Sequence, residues 1–249
     1  MTILYFDCFS GASGDMILGA LVDAGVPLAE IRRALGSLAI DPAAVWTERV
    51  VRAGISATRF CVRGEETGGA GVPPDRHHQH AHDHDHHHGP HVPGVDHGPG
   101  RHAHAAGGHH HPHRTLAEIY GLIDGSALSA SGKARAKALF ERLGRVEAAI
   151  HGIALDEVHL HEVGALDSII DIVGAVFALE TLGAERIVAS PLNVGSGTVR
   201  AAHGVYPVPA PATVKLLEGV PMYAGPQQAE LVTPTGALLV SSYASAYGP

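Results

Sequence analysis

Residues 2–25 read TILYFDCFSGASGDMILGALVDAG. TILYFD is apolar and rich in β-formers, the next stretch carries Gly11 and Gly14, and MILGALVDAG is apolar on nearly every side. That order predicts a strand, a glycine-rich loop and a buried helix. Downstream the alternation repeats. A second helix is predicted over Leu28–Leu38 with Pro27 near its start, and VWTERVVRA and TRFCVR read as two strands joined at Gly54. Leu139, Leu143, Val146 and Ile150 recur at helical spacing within a helix predicted over Ala130–Ile150. An apolar helix over Leu166–Leu182, a strand at RIVAS, a turn at NVGSGTV and a short helix in PATVKLLEG complete the pattern, with Pro209 and Pro211 setting the first turn of the last. Alternating strands and helices predict an α/β fold, a mixed sheet flanked by helices.

The chain of 249 residues is 45% hydrophobic, ample for a core. Lys and Arg total 17 against 25 for Asp and Glu, a net charge of -8 that argues against a nucleic-acid groove or an anionic membrane surface as partner. Only Cys8 and Cys61 are present, and Met1 leads straight into the first predicted strand without a leader-like apolar run. A reduced, cytoplasmic protein is the expectation, and no run reaches the roughly 18 to 20 apolar residues that would cross a bilayer.

Sixteen of the 20 histidines lie between His77 and His113. The tract divides the chain into the first half of the α/β domain over 1–63, a predicted disordered His-rich loop over 64–114, and the second half over 115–249. Imidazole suits nickel, zinc and copper, so His82, His84, His86, His87 and His88 are candidate ligands within it. Loop-closure entropy grows only with the logarithm of length, and doubling such an insertion costs only about 0.6 kcal/mol.

HLHEVGALDSIID is the sharpest constellation outside the tract. On an extended segment His159 and His161 point to one face, and Asp167 and Asp171 stand four apart on the following helix. Two carboxylates on an apolar helix repel and resist burial, and a shared cation resolves both costs. The ordinary alternative is Asp167 in a first turn, held by the helix dipole, with the histidines hydrogen-bonded in a loop. In DCFSGASGDM, backbone amides with Ser10, Gly11, Ser13 and Gly14 suit a phosphate or carboxylate, and Asp7 and Asp15 could hold a divalent ion beside it. A tight turn with Asp15 as helix cap is the competing reading, and Cys8 reads as a small buried hydrophobe. NVGSGTVRAAHG supplies Gly195 and Gly197 for close backbone approach to a ligand, with Asn193 and His203 nearby. In VTPTGALL, Thr233 caps, Pro234 takes the first helical position, and amides near Thr235 and Gly236 make a second anion seat.

DCFSGASGDM, HLHEVGALDSIIDIVGA, SPLNVGSGTV, HGVYPVPAPAT and ELVTPTGALL together resemble the LarC nickel-insertion proteins of nickel-pincer cofactor biosynthesis. The resemblance implies a nickel chelatase or cyclometallase of the lyase type. Such an enzyme inserts Ni²⁺ into a pyridinium bisthiocarboxylic acid mononucleotide with hydrolysis of CTP, aided by Mn²⁺ or Mg²⁺. Members usually continue past the TPTG block into a C-terminal domain associated with nucleotide binding, so the CTP site is expected outside these residues. Expected partners are the mononucleotide, further copies of the chain in a homo-oligomer, and the C-terminal portion or other proteins of the cofactor pathway. By chemistry alone, Glu162 or His203 is the candidate base for the ring proton. Two rival readings are a nickel or zinc storage and delivery protein, and a metal-dependent phosphohydrolase built on Asp7, Asp15, Asp167 and Asp171.

Overall fold

The computed structural model describes residues 1–38, 40–52, 54–63, 114–160, 166–201 and 204–248. Its strands are β1 Ile3–Phe6, β2 Val45–Arg52, β3 Ile55–Val62, β4 Arg114–Thr115, β5 His159–Leu160 and β6 Arg186–Ala189, followed by β7 Leu192–Asn193, β8 Thr198–Ala201, β9 Gly204–Pro207, β10 Met222–Tyr223 and β11 Ala246–Tyr247. Its helices are α1 Gly14–Asp23, α2 Leu28–Gly36, α3 Leu116–Gly125, α4 Ala130–His151, α5 Leu166–Leu182, α6 Pro211–Leu216 and α7 Pro234–Tyr243. The predicted α/β alternation is present. Strand pairs of both senses occur, shared among separate small sheets.

The central sheet is parallel, in the order β1-β6-β11. Ile3 to Phe6 lie opposite Arg186 to Ala189, and the pairing extends past the strands where Ser190 N–H donates to the Phe6 carbonyl at 2.9 Å. Along β1 the side chains alternate: Leu4 and Phe6 pack on the core while Ile3 and Tyr5 are exposed. β2 and β3 form the predicted antiparallel hairpin, whose turn includes Gly54 at φ +81°.

Core side chains come from both sides of the histidine tract. Ile31 and Phe60 belong to the same buried cluster as Ile119, Phe140, Ile170 and Leu238. α5 is the central post: Asp171 and its apolar neighbours from Ile169 to Val176 are all buried. α1 packs between α5 and β3, and that packing is close. A Cβ on Gly19 would overlap the Thr58 carbonyl, and one on Gly174 would sit 3.2 Å from Leu18. α1 is nonetheless open on one side, since Met16 and Ala20 are exposed.

On α4, Leu139 and Leu143 are buried as their spacing predicts, but Ile150 in the last turn is exposed, beyond the neighbours that cover the rest of the stripe. Arg142, on the same helix, spans to α6 and α7 through the Leu216 carbonyl at 2.9 Å and Ser242 Oγ at 2.6 Å. α3 starts from a capping box in which Thr115 Oγ1 accepts from Glu118 N–H while Glu118 Oε2 accepts from Thr115 N–H at 2.7 Å. The histidine tract, with its candidate ligands His82, His84, His86, His87 and His88, lies outside the described residues. Among the described residues, no helix is long and apolar enough to cross a membrane.

Candidate functional site

Open parallel sheets gather ligands beyond the carboxyl ends of their strands. Here the loop after β1 crosses that edge and interlocks with two other glycine-bearing segments. Cys8 N–H donates to Ser190 Oγ at 2.8 Å, and its carbonyl accepts from Asn193 N–H and Gly11 N–H. Ala12 N–H donates to the Leu231 carbonyl at 2.9 Å, and Thr233 N–H returns to the Ala12 carbonyl at 3.1 Å. Gly11, at φ +90°, has no room for a side chain, because a Cβ there would overlap the Leu231 carbonyl. Gly236 meets the Ala12 carbonyl in the same way. The three segments 8–14, 190–197 and 229–236 therefore form one floor.

Several predicted ligand groups are committed to building that floor. Asn193 is buried, and its Nδ2 donates to the Phe9 carbonyl at 2.9 Å while Oδ1 accepts from Gly195 N–H at 3.2 Å and Gly225 N–H at 2.9 Å. Its side chain is thus a latch between strands rather than an open polar group. Gly195 makes its close approach to the Ala229 carbonyl, a protein atom, and not to an open face. The second anion seat closes likewise: Thr235 and Gly236 are buried, and Gly236 N–H donates to the capping Thr233 hydroxyl at 3.2 Å. Gly197, at φ +93°, stays exposed, as does Ser10.

The carboxylates divide into different settings. Asp171 is buried on α5 and lies against Gly14, the first residue of α1, so closely that any Cβ at Gly14 would overlap its carboxylate. The positive end of α1 thus faces a protein carboxylate. Asp167, one turn earlier, has an Oδ1 atom that is buried and accepts no hydrogen bond among the described residues. A buried carboxylate oxygen in that state is costly unless a cation or donor reaches it. The N-cap of α1 is Ser13 rather than Asp15, and the Ser13 hydroxyl donates to the Asp15 carboxylate in the first turn. Asp7 is exposed at the end of β1.

His159 is exposed on β5, opposite Thr115. His161, Glu162 and His203 lie outside the described residues. Among the described residues no group of three or more His, Cys, Asp and Glu stands close enough to hold a metal ion. Cys8 holds its proton, because burial, with Asp7 adding to it, pushes its thiol up to about 11.

The floor has a charge character that spacing alone did not reveal. No Lys or Arg occurs in residues 1–31, 187–199 or 216–249, whereas Asp7, Asp15 and Glu230 fall within them. These segments contribute no basic side chain of their own, so an anion held by them would rely on backbone amides and hydroxyls.

Residues 4–249 match the family described as nickel insertion protein. The chain belongs to the nickel insertion protein family. It is 41% identical over its whole length to a pyridinium-3,5-bisthiocarboxylic acid mononucleotide nickel insertion protein of Desulfitobacterium hafniense (strain DSM 10664 / DCB-2), of which it covers 51%. It is 43% identical to the protein of the same name in Geobacillus kaustophilus (strain HTA426), covering 53%, and 41% identical to a putative nickel insertion protein of Geobacter sulfurreducens, covering 54%. The chain spans about half the length of these curated relatives. No solved structure matches it.

For a nickel insertion protein, two exposed aromatic residues at the floor are notable. Phe9 and Tyr223 flank Asn193, and neither stood out in the sequence. Phe9 is a single aromatic in a glycine-rich loop, without periodicity to mark it, and only its exposure distinguishes it. Tyr223 sits on a two-residue strand too short to leave a periodic signal. The Thr115 and Glu118 capping box was legible as T-x-x-E in TLAE but is structural.

Proposed function

We propose that this chain carries the nickel-handling part of a cyclometallase that inserts Ni²⁺, its inorganic substrate, into pyridinium-3,5-bisthiocarboxylic acid mononucleotide. One observation carries the reading: a chain matched from residue 4 to 249 by the nickel insertion protein family brings together into one floor glycine-bearing segments that carry no basic residue of their own. Such a floor suits a metal cation and a pyridinium. The histidine tract gathers nickel, and His159, His161, Asp167 and Asp171 receive it, with Asp7 and Asp15 as further carboxylates. Gly14 faces Asp171 and the Gly11 N–H is bonded to the Cys8 carbonyl, so the phosphate of the substrate falls to the side of Ser10, Ser13 and Gly197.

The substrate's two sulfur donors then take the ion from the carboxylates and imidazoles, since soft ligands hold nickel more strongly than carboxylate oxygen does. A nickel–carbon bond forms as the ring C–H bond breaks, and the proton passes to Glu162 or His203. Hydrolysis of CTP, with Mn²⁺ or Mg²⁺, belongs to the portion of the relatives that lies beyond this chain's match. Replacing His159 and His161 together by Ala, in a complete insertion assay containing that portion, abolishes product on this reading. Unchanged nickel insertion would overturn the receiving cluster.

A further inference from the structure

Two large aromatic side chains stand in solvent beside Asn193, one on the floor and one on the neighbouring strand β10: Phe9 is 59% exposed and Tyr223 is 45% exposed. They are neighbours through a single residue. Tyr223 is the parallel partner of Asn193 in the β7 and β10 pair, so the Tyr223 and Asn193 side chains project from the same face of that pair. Val194 N–H bonds the Tyr223 carbonyl at 2.9 Å, and the Asn193 amide ends on the carbonyl of Phe9, also at 2.9 Å. Since Asn193 is buried and makes bonds to Phe9, Gly195 and Gly225, the backbones carrying both aromatics are held in fixed relation.

Scattered surface aromatics are ordinary; these two differ in being tied through backbone bonds to one buried side chain. The surrounding charge selects that ligand. The segments holding Phe9 and Tyr223 carry no Lys or Arg, and the exposed carboxylate of Asp7 lies two residues from Phe9. Aromatic faces on segments that bring a carboxylate but no guanidinium or ammonium favour a flat organic cation over a neutral ring or an anion. We propose that Phe9 and Tyr223 hold the positively charged pyridinium ring of the mononucleotide, a role that rests on the nickel-insertion reading and assigns the part of the substrate that the loops do not hold.

Isothermal titration of the full chain with nicotinic acid mononucleotide, a pyridinium, and with its 1,4-dihydro form, whose ring carries no charge, tests this. The unaltered chain binds the pyridinium form more tightly. Phe9→Leu and Tyr223→Leu, which keep apolar bulk but remove the ring quadrupole, weaken that binding about 2- to 30-fold and erase the preference for the charged ring, whereas Tyr223→Phe retains it. Leu variants that keep both affinity and preference would overturn the aromatic role and leave the nickel-insertion reading standing. An unaltered chain that binds neither form would overturn the mononucleotide reading together with this one.

Discussion

The carboxylate of Asp171 occupies the space where a side chain on Gly14 would have to go. This contact seats α1 against α5 and sets a buried acid beside the positive end of a helix. Gly14→Ala therefore forces a methyl group into the carboxylate, and we expect a loss of about 1 to 3 kcal/mol, the usual cost of overpacking. Urea denaturation measures it. An unchanged midpoint would show that α1 and α5 can separate freely at this point.

Asn193 ties three backbone segments with one side chain. Asn193→Ala strands the Phe9 carbonyl and the amides of Gly195 and Gly225, and a loss of about 2 to 3 kcal/mol follows if even one or two of them stay buried and unpaired. The accompanying change is local: amide exchange of residues 9–12 and 223–227 speeds up more than that of α4. Uniform acceleration across the chain would contradict the latch.

Much of this fold was legible in local pattern. The apolar run of α5 gave its bounds at Leu166 and Leu182, Ala130 opened α4, and Gly54 marked the hairpin turn, because each depends on periodicity or on one backbone conformation within a few residues. The floor was legible only as three glycine-bearing stretches. What the glycines face was not, since Gly11 meets Leu231 and Asn193 meets Phe9 across most of the chain length. Glycines read as room for a ligand became room for protein backbone. The choice between Ser13 and Asp15 as the cap of α1 turned on a shift of two residues between two good capping types, which local sequence cannot resolve.

Cys8 supplies a pH test. Its thiol is raised from the ordinary 9.0 to about 11, chiefly by burial, so the folded chain prefers the neutral form. The sign follows from linkage: the group's contribution to stability is full below about pH 9 and is lost as pH rises toward and through about 11. Alkylation of Cys8 by iodoacetamide, followed by peptide mass spectrometry, stays slow at pH 8.5. Modification at the rate of a free cysteine would contradict the buried placement.

The histidine tract and the folded part are separable in this account. With ordinary imidazole values near 6.5, roughly nine-tenths of the tract's imidazoles are protonated at pH 5.5, and bound nickel is released. Deleting residues 77–113 lowers the nickel stoichiometry at pH 7.4 while the thermal midpoint of the folded part holds. Retention of several nickel ions per chain at pH 5.5 would contradict the imidazole assignment.

The most direct test is to incubate the chain with Ni²⁺, CTP, Mg²⁺ and pyridinium-3,5-bisthiocarboxylic acid mononucleotide, adding the C-terminal half of the Geobacillus kaustophilus relative, and to detect the metallated nucleotide by mass spectrometry. The account predicts a nickel-bearing product that is lost with Asp167→Asn. Absence of product under conditions in which the whole relative makes it, or full product from the Asp167→Asn chain, would contradict it.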